Sequence, residues 1–391
     1  MEKRDAVMVG WAHSPFGKLE AADVEELLAL VGQSALEHAG VQGSDIDYVT
    51  VGVMNGGFSK QGFDGALASV AVPGLEHVPA ARLENACATG SAALYTAVDA
   101  IECGRARMAL VMGAEKMTAT STAEVGDVLL GASYRKEEDG LPAGFAGIFG
   151  QIANSYFQKH GDKSEELAML ASKNHANGVS NPYAQMRREF SVEFCNTVSD
   201  KNPVVAGPLR RTDCSLISDG AAAIVLADRE TAEDLTRAIA FRARAHCNDV
   251  FPMSRRDPTE FGGCQRAWSA ALDQAGATLD DLDLVETHDC FTIAELLEYE
   301  AMGLTERGDG ARAVREGWTR KDGKLPVNPS GGLKSKGHPI GATGVSMHIL
   351  AAMQLMGEAE DMQIEGAGLA GVFNMGGAAV ANYCSILERV T

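Results

Sequence analysis

This chain of 391 residues lacks any uninterrupted apolar run near the roughly 18 residues that a membrane-spanning helix needs. Its start, Met1 to Gly10, is charged and then only briefly apolar, too short for the hydrophobic core of a secretory signal. Disulfide frameworks and redox motifs are missing too. The eight cysteines, at 87, 103, 195, 214, 247, 264, 290 and 384, are scattered and form no CxxC pair. With fifteen methionines, they point to a reducing compartment in which thiols stay free to react. Positive charge is scarce: 34 Lys and Arg against 53 Asp and Glu leave a formal net charge of −19. That field argues against nucleic acid or an anionic membrane as partner, and an anionic ligand would need a local basic patch. The expectation is a soluble, cytoplasmic protein. With 46% apolar and 22% charged residues it is globular, and long enough for two or three domains with large cores.

What is present is organised around Glu84-Asn85-Ala86-Cys87-Ala88-Thr89-Gly90, a cysteine among small residues just before an apolar-periodic run through Tyr95, Val98 and Ile101. The run predicts a helix stopped at Gly104. Cys87 then lies in a sharp strand-to-helix turn, where amide N–H groups and the helix dipole favour a thiolate. The plainer reading is a small buried cysteine at a glycine-rich helix start.

Along the chain, strands are expected at Ala6–Gly10, Asp45–Gly52, Met108–Gly113 and Ser218–Leu226, with a helix over Val24–His38. Between Lys116 and Arg211 the sequence is glycine-rich, carries Arg135, Lys136, Arg187, Arg188, Arg210 and Arg211, and lacks a β-α alternation, which predicts an inserted cap of about 117–211. The second half repeats the first. Ala35-Leu36-Glu37-His38-Ala39-Gly40 matches Ala271-Leu272-Asp273-Gln274-Ala275-Gly276, and Asp45-Ile46-Asp47-Tyr48-Val49 matches Asp281-Leu282-Asp283-Leu284-Val285, each displaced by 236 positions (Ala35 to Ala271, Asp45 to Asp281). Gly220-Ala221-Ala222-Ala223 is echoed by Gly377-Ala378-Ala379-Val380. A duplicated α/β unit about a pseudo-dyad follows, with halves 1–235 and 236–391.

Duplication brings two helix N-termini to the dyad. One opens at Cys87; the other follows Gly331-Gly332-Leu333-Lys334-Ser335-Lys336-Gly337-His338-Pro339, with Pro339 suited to a first helical turn and an apolar helix over Val345–Met356. A Cys–His pair is a minimal activated nucleophile, the imidazole taking the thiol proton. His288 and Cys290, at the end of the repeated strand, share one side of an extended backbone and add a second imidazole and a second thiol. A metal site and a Cys87–Cys290 disulfide are weaker alternatives for these groups. In Phe373-Asn374-Met375-Gly376-Gly377, glycines let backbone amides approach an oxyanion, or simply make a turn before the last strand.

Together, Asn85–Gly90, His288-Asp289-Cys290-Phe291, Asn328–Pro339 and Asn374–Gly377 resemble the thiolase superfamily over essentially the whole chain. The likeness is greatest to the sterol-carrier-protein-type and archaeal-type acetyl-CoA acetyltransferases. The resemblance implies an α/β thiolase fold, with duplicated βαβ halves in αβαβα layers and an inserted loop domain. It implies a ping-pong acyltransferase that forms or cleaves a 3-ketoacyl-CoA, with coenzyme A thioesters as substrates and no resident cofactor or metal. In these terms Cys87 is the acylated nucleophile and His338 activates it. His288 stands where many thiolases have an asparagine, and the backbone N–H groups of Cys87 and Gly376 form an oxyanion hole. Asn374 replaces the second catalytic cysteine of many thiolases, so Cys290 is expected to supply the acid/base thiol. Homodimers or homotetramers are implied, and archaeal-type relatives associate with a small zinc-ribbon/OB-fold protein and a hydroxymethylglutaryl-CoA synthase. A ketosynthase-like condensing enzyme, or a partner-dependent thiolase-like subunit, are the rivals. The basic residues of the insertion and Lys334 or Lys336 are candidates for the coenzyme's phosphates.

Overall fold

The computed structural model describes residues 4–390. The first half runs β1 (Ala6–His13), α1 (Val24–Ala39), β2 (Tyr48–Gly52), α2 (Asp64–Ala71), β3 (Ala80–Leu83), α3 (Thr89–Glu102) and β4 (Met108–Glu115). An insertion follows with α4 (Thr122–Leu129), α5 (Arg135–Glu138), α6 (Phe145–His160), α7 (Ser164–Gly178), α8 (Val192–Asn196), β5 (Val204–Ala206) and β6 (Leu209–Arg210). The half closes with β7 (Gly220–Asp228) and α9 (Arg229–Ala232). The second half runs β8 (Ile239–Asn248), α10 (Gly262–Ala275), β9 (Leu284–Glu286), α11 (Thr292–Ala301), α12 (Gly310–Arg315), α13 (Gly332–Lys336), α14 (Ile340–Met356), β10 (Leu369–Gly376) and β11 (Ala381–Arg389).

Nine strands form one hydrogen-bonded series in the order β3-β2-β4-β7-β1-β8-β11-β10-β9. It reads as two similar half-sheets joined at the centre by a short pairing, Val7 with Ala240 and Met8 with Ile239. Corresponding pairs agree in sense: β2 with β4 and β9 with β10 are parallel, β4 with β7 and β10 with β11 antiparallel. α1 and α2 cover the outer face of the first half-sheet and α10 that of the second. α14 packs on β4 and β7 of one half and on β9, β10 and β11 of the other, beside α3. The layers are therefore αβαβα. Every residue of α14 from Ile340 to Leu355 is buried, as an interior helix between two sheets requires.

The repeat holds in local detail. α1 and α10 both end on a left-handed glycine, Gly40 and Gly276, a backbone state that glycine enters without a Cβ penalty. A 3₁₀ turn with a capping box follows each, at Gly43–Asp45 and Leu279–Asp281. These turns occupy the start of the expected strand, so β2 begins only at Tyr48. The turn residues Asp45 and Asp281 bond back to their own caps rather than to a neighbouring strand. Gly220 lies within β7, whereas its echo Gly377–Val380 is the turn before β11, with Ala379 at φ 56°.

Where a loop-like cap was expected, the insertion is mostly helical. Ile148, Phe149, Ile152, Ala153 and Tyr156 of α6, and Leu167, Leu170 and Ala171 of α7, are buried at helical spacing. Glycines and surface charges on the other faces masked that period in the sequence.

α14 begins at Ile340, a turn earlier than its apolar run, and Pro339 is the residue before it rather than within it. Its early glycines exist for proximity. A Cβ on Gly341 would lie 2.3 Å from the carbonyl oxygens of Gly52 and Ala114, and one on Gly344 would lie 2.3 Å from the amide of Ser91 in α3. Gly90 of α3 is as tightly placed, 2.8 Å from the Val345 amide. Gly344→Ala therefore forces backbone apart at the dyad and should destabilise the protein by about 2–3 kcal/mol, the upper range for overpacking. A guanidinium unfolding midpoint unchanged from the parent would contradict this close packing.

Candidate active site

Cys87 lies between β3 and α3 in a turn locked by its neighbours. The Asn85 amide donates to Thr89 Oγ1 at 2.8 Å, Thr89 N–H returns to the Ala86 carbonyl at 3.0 Å, and Ala86 sits in the left-handed region at φ 49°. Such a backbone state costs of order 1 kcal/mol and persists where the surroundings enforce it. Gly376 closes the turn from β10, where a Cβ would meet the Asn85 carbonyl at 2.4 Å. Cys87 is only 3% exposed, and the Gly377 and Cys87 amides lie on the side of its sulfur where they favour the thiolate.

His288 and His338 meet this sulfur. The three groups offer ligand atoms all within 4.8 Å of one another, and the two rings are edge to face with centroids 5.1 Å apart. The tautomers follow from the hydrogen bonds around them. The Asn374 side chain donates from Nδ2 to the Cys87 carbonyl at 3.1 Å and accepts at Oδ1 from the Ser91 hydroxyl at 2.7 Å, which fixes its amide orientation. Its Nδ2 also lies 2.9 Å from His288 Nδ1, which must accept, so His288 carries its proton on Nε2. Thr343 donates its hydroxyl to the Pro339 carbonyl at 2.9 Å, so at 2.6 Å it accepts from His338 Nδ1–H. His338 Nε2 is thus a lone pair. Both Nε2 atoms are buried and without a protein partner, one a donor and the other an acceptor.

That pairing suits acid–base work and not metal binding. For His288 Nε2 to ligate, its proton would move to Nδ1 and face the Asn374 amide, donor against donor.

Burial governs the charge states. It pushes the Cys87 thiol up to about 12, against the Gly377 and Cys87 amides that favour the thiolate. It drives His338 down to about 3 and His288 well below its ordinary value. The resting site is a thiol beside two neutral imidazoles, not the thiolate expected from the helix dipole, because desolvation in this dry turn outweighs the amides.

Cys290 is buried nearby, close enough for the Cys87 charge to act on it, though it is not one of the three groups that meet within 4.8 Å. The segment carrying it is a turn rather than extended strand, since β9 stops at Glu286 and the Asp289 amide bonds back to Thr287. Two carboxyl groups grip it. Asp289 accepts from the Leu333 and Lys334 amides at 2.6 and 3.2 Å and from Asn174 Nδ2 at 2.8 Å. Glu298 accepts from the Thr287 hydroxyl at 2.5 Å.

Several expected phosphate contacts are ruled out by burial. Lys334 and Lys336 are 1% and 0% exposed, their ammonium groups held by the Cys214 carbonyl and the Ser346 hydroxyl. Arg210 is 3% exposed and bound to Asp213, Asn196 and the Ser164 carbonyl. Arg187 and Arg188 remain at the surface. Sequence reasoning missed Ser91, Thr343, Glu298 and Ser218, whose hydroxyl accepts from the His338 amide at 3.0 Å. Ser91 lies one helical turn beyond Cys87 and Thr343 about one turn beyond His338, so helical spacing from each reactive residue was the available signal.

The lone pair on His338 Nε2 has a direct readout. His338→Ala should slow iodoacetamide labelling of Cys87 by about 10²-fold, the lower range for losing a general base, while leaving exposed Cys103 unchanged. Equal labelling of Cys87 in the two proteins, followed by peptide mass mapping, would remove His338 from that role.

Comparisons with known proteins identify the family of the fold. A family model described as "Thiolase, N-terminal domain" matches residues 6–230, and "Thiolase C-terminal domain-like" matches 245–389. The chain is 37% identical over 389 residues to the acetyl-CoA acetyltransferase of Methanothermobacter thermautotrophicus, covering 99% of this chain and 100% of that one. It is 33% identical to human sterol carrier protein 2, covering 92% of this chain and 67% of that protein. Among solved structures, the "Ltp2-ChsH2(DUF35) aldolase" superposes with a TM-score of 0.82 at 20% identity, covering 99% and 98% of the two chains. The chain belongs to the thiolase family and is an acyl-CoA acyltransferase of the acetyl-CoA acetyltransferase kind.

Proposed function

We propose that this enzyme makes or cleaves 3-ketoacyl-CoA by a ping-pong route through an S-acyl Cys87. The observation that carries the reading is the opposed pair of imidazole atoms, a lone pair on His338 Nε2 and a proton on His288 Nε2, set around one buried thiol. In the first half-reaction His338 Nε2 takes the Cys87 proton as the sulfur attacks the thioester carbonyl. The negative oxygen of the tetrahedral intermediate is held by backbone amides at Cys87 and Gly376, with the Gly377 amide beside them. Collapse expels the coenzyme A thiolate, which recovers the proton from His338.

In the second half-reaction the Cys290 thiol gives its proton to the open His338 Nε2, and the thiolate so formed removes the α-proton of acetyl-CoA. The enolate oxygen is met by His288 Nε2–H, and its carbon attacks the acyl group on Cys87. The Cys87 thiolate leaves and takes the proton held on His338, while Cys290 keeps the α-proton and is again a thiol. Asn374 holds no thiol and instead aligns His288, which is why the acid/base role falls to Cys290.

Lipid-derived acyl chains are proposed as substrates from the likeness to sterol carrier protein 2, and a reducing cytoplasm suits eight free cysteines. A homodimer, or a pair of them, is proposed across the edge strand β3. Its residues alternate between exposed and half-buried, and Phe63 and Val70 near it are 83% and 65% exposed. A zinc-ribbon/OB-fold partner is a second reading, favoured by the solved complex of a structurally similar chain with a DUF35 protein.

Thiolysis of acetoacetyl-CoA by coenzyme A tests the two thiols. Cys87→Ala and Cys290→Ala should each lose at least about 10³-fold in kcat, in line with removing a covalent or acid–base group. Retained activity in Cys290→Ala would leave that thiol outside the reaction.

A further inference from the structure

One guanidinium beside the Cys87 turn has no counter-ion, and the mechanism above does not use it. Arg256 lies in the loop between β8 and α10, and that loop is seated on the turn 377–380 by two bonds. The Asp249 amide donates to the Val380 carbonyl at 2.7 Å, and Arg256 Nη2 donates to the Ala378 carbonyl at 2.5 Å. This turn continues directly from the residue that packs on the nucleophile. Gly376, two positions before Ala378, touches both flanks of Cys87: a Cβ there would lie 2.4 Å from the Asn85 carbonyl and 3.3 Å from the Ala88 amide.

The rest of the guanidinium is unsatisfied. Its Nε and Nη1 are shut off from solvent and have no hydrogen-bond partner among the described residues. Nor does any carboxylate among those residues come within ion-pair distance of it, and the acids around it are engaged elsewhere. Asp249 accepts from the Val250 and Gly263 amides at 2.7 and 2.8 Å and pairs with Arg266 at 3.4 Å. Glu138 accepts from the Tyr134 and Met253 amides at 2.9 and 3.1 Å. Asp257, the next residue in the chain, is paired with Lys159. A buried cation with open donors is costly to fold unless a negative group meets them.

Position decides which negative group that is. The phosphates of coenzyme A hang a whole pantetheine arm away from the thioester, so an anion beside the turn that backs the reacting thiol belongs to the acyl group. The same loop supplies apolar surface for the chain leading to it, with Met253 packed on the core and Phe251 meeting the Tyr134 ring at 5.8 Å. With a net charge of −19 the protein as a whole repels an anionic acyl group, and capture needs a local cation of this kind.

We propose that Arg256 is a specificity-determining residue that binds a carboxylate on the acyl chain, so that the preferred substrates are coenzyme A thioesters of short dicarboxylic acids. This rests on Cys87 carrying the acyl group, as proposed above, and narrows which acyl group it is. The carboxylate takes no part in the bond changes. The Cys87 sulfur bonds to the thioester carbon, the bond from that carbon to the coenzyme A sulfur breaks, and the Cys87 proton passes through His338 to the departing thiolate.

Acylation of Cys87 in the full chain tests this, read as intact-protein mass over time at limiting thioester. Succinyl-CoA is set against butyryl-CoA, and glutaryl-CoA against valeryl-CoA, so that within each pair a carboxylate replaces a methyl group. In the parent protein at least one carboxylated thioester should react faster than its neutral counterpart by about 10–100-fold, the range for a hydrogen bond to a charged group. Arg256→Gln should abolish that preference. A loosened 377–380 turn would slow both members of a pair alike, so the ratio reads the carboxylate contact alone. Equal rates within both pairs in the parent, or a ratio unchanged in Arg256→Gln, would overturn the proposal. Should that variant fail to fold, Arg256→Lys decides: it keeps the charge without the planar donors, and its ratio should fall. An unchanged ratio there would overturn the proposal as well. No acylation of Cys87 by any of the four thioesters or by acetyl-CoA would remove the S-acyl route itself, and this proposal with it.

Discussion

One side chain, Asn374, ties the two halves of the molecule together at the candidate site. From β10 of the second half it accepts from Ser91 and donates to the Cys87 carbonyl in the first, and the same amide faces His288. Each bond is unremarkable alone, worth of order 1 kcal/mol. Their joint effect is orientation. With the amide unable to flip, His288 has one tautomer, and the donor that faces Cys87 is set before any substrate arrives. Electrostatic help of this kind costs no reorganisation at the moment of reaction.

The same dryness that makes these bonds directional sets the charge state. A buried thiol raised to about 12 and a buried imidazole lowered to about 3 do not form an ion pair at rest. In the proposed mechanism proton transfer is deferred until the sulfur attacks, when charge would move on to oxygen atoms within reach of backbone amides. The close glycine contacts between α3 and α14 serve this arrangement. They bring two helix N-termini together while leaving no space for water between them.

Much of this was legible in the sequence because it depended on repetition and on local chemistry. The displacement of 236 positions between Gly40 and Gly276 marked a helix end, and both glycines do take the left-handed state. Cys87, His288 and His338 were found at strand ends and helix starts, and the structure places them together. What was not legible depended on three-dimensional surroundings. A lysine beside a histidine in sequence reads as a phosphate ligand, and only burial shows that the Lys336 and Lys334 head groups face inward. The dipole argument for a thiolate at Cys87 was sound locally and lost to desolvation, a quantity set by residues hundreds of positions away. The helices of the insertion were hidden because α6 and α7 bury only one stripe each and carry glycines and charges elsewhere.

The central claim is that Cys87 carries the acyl group. The direct measurement is intact-protein mass after mixing with acetyl-CoA, followed by peptide mapping of any adduct. The account predicts one acetyl group per chain, on Cys87, released again by free coenzyme A. No adduct in the protein alone, or an acetyl group on any other residue, would contradict it.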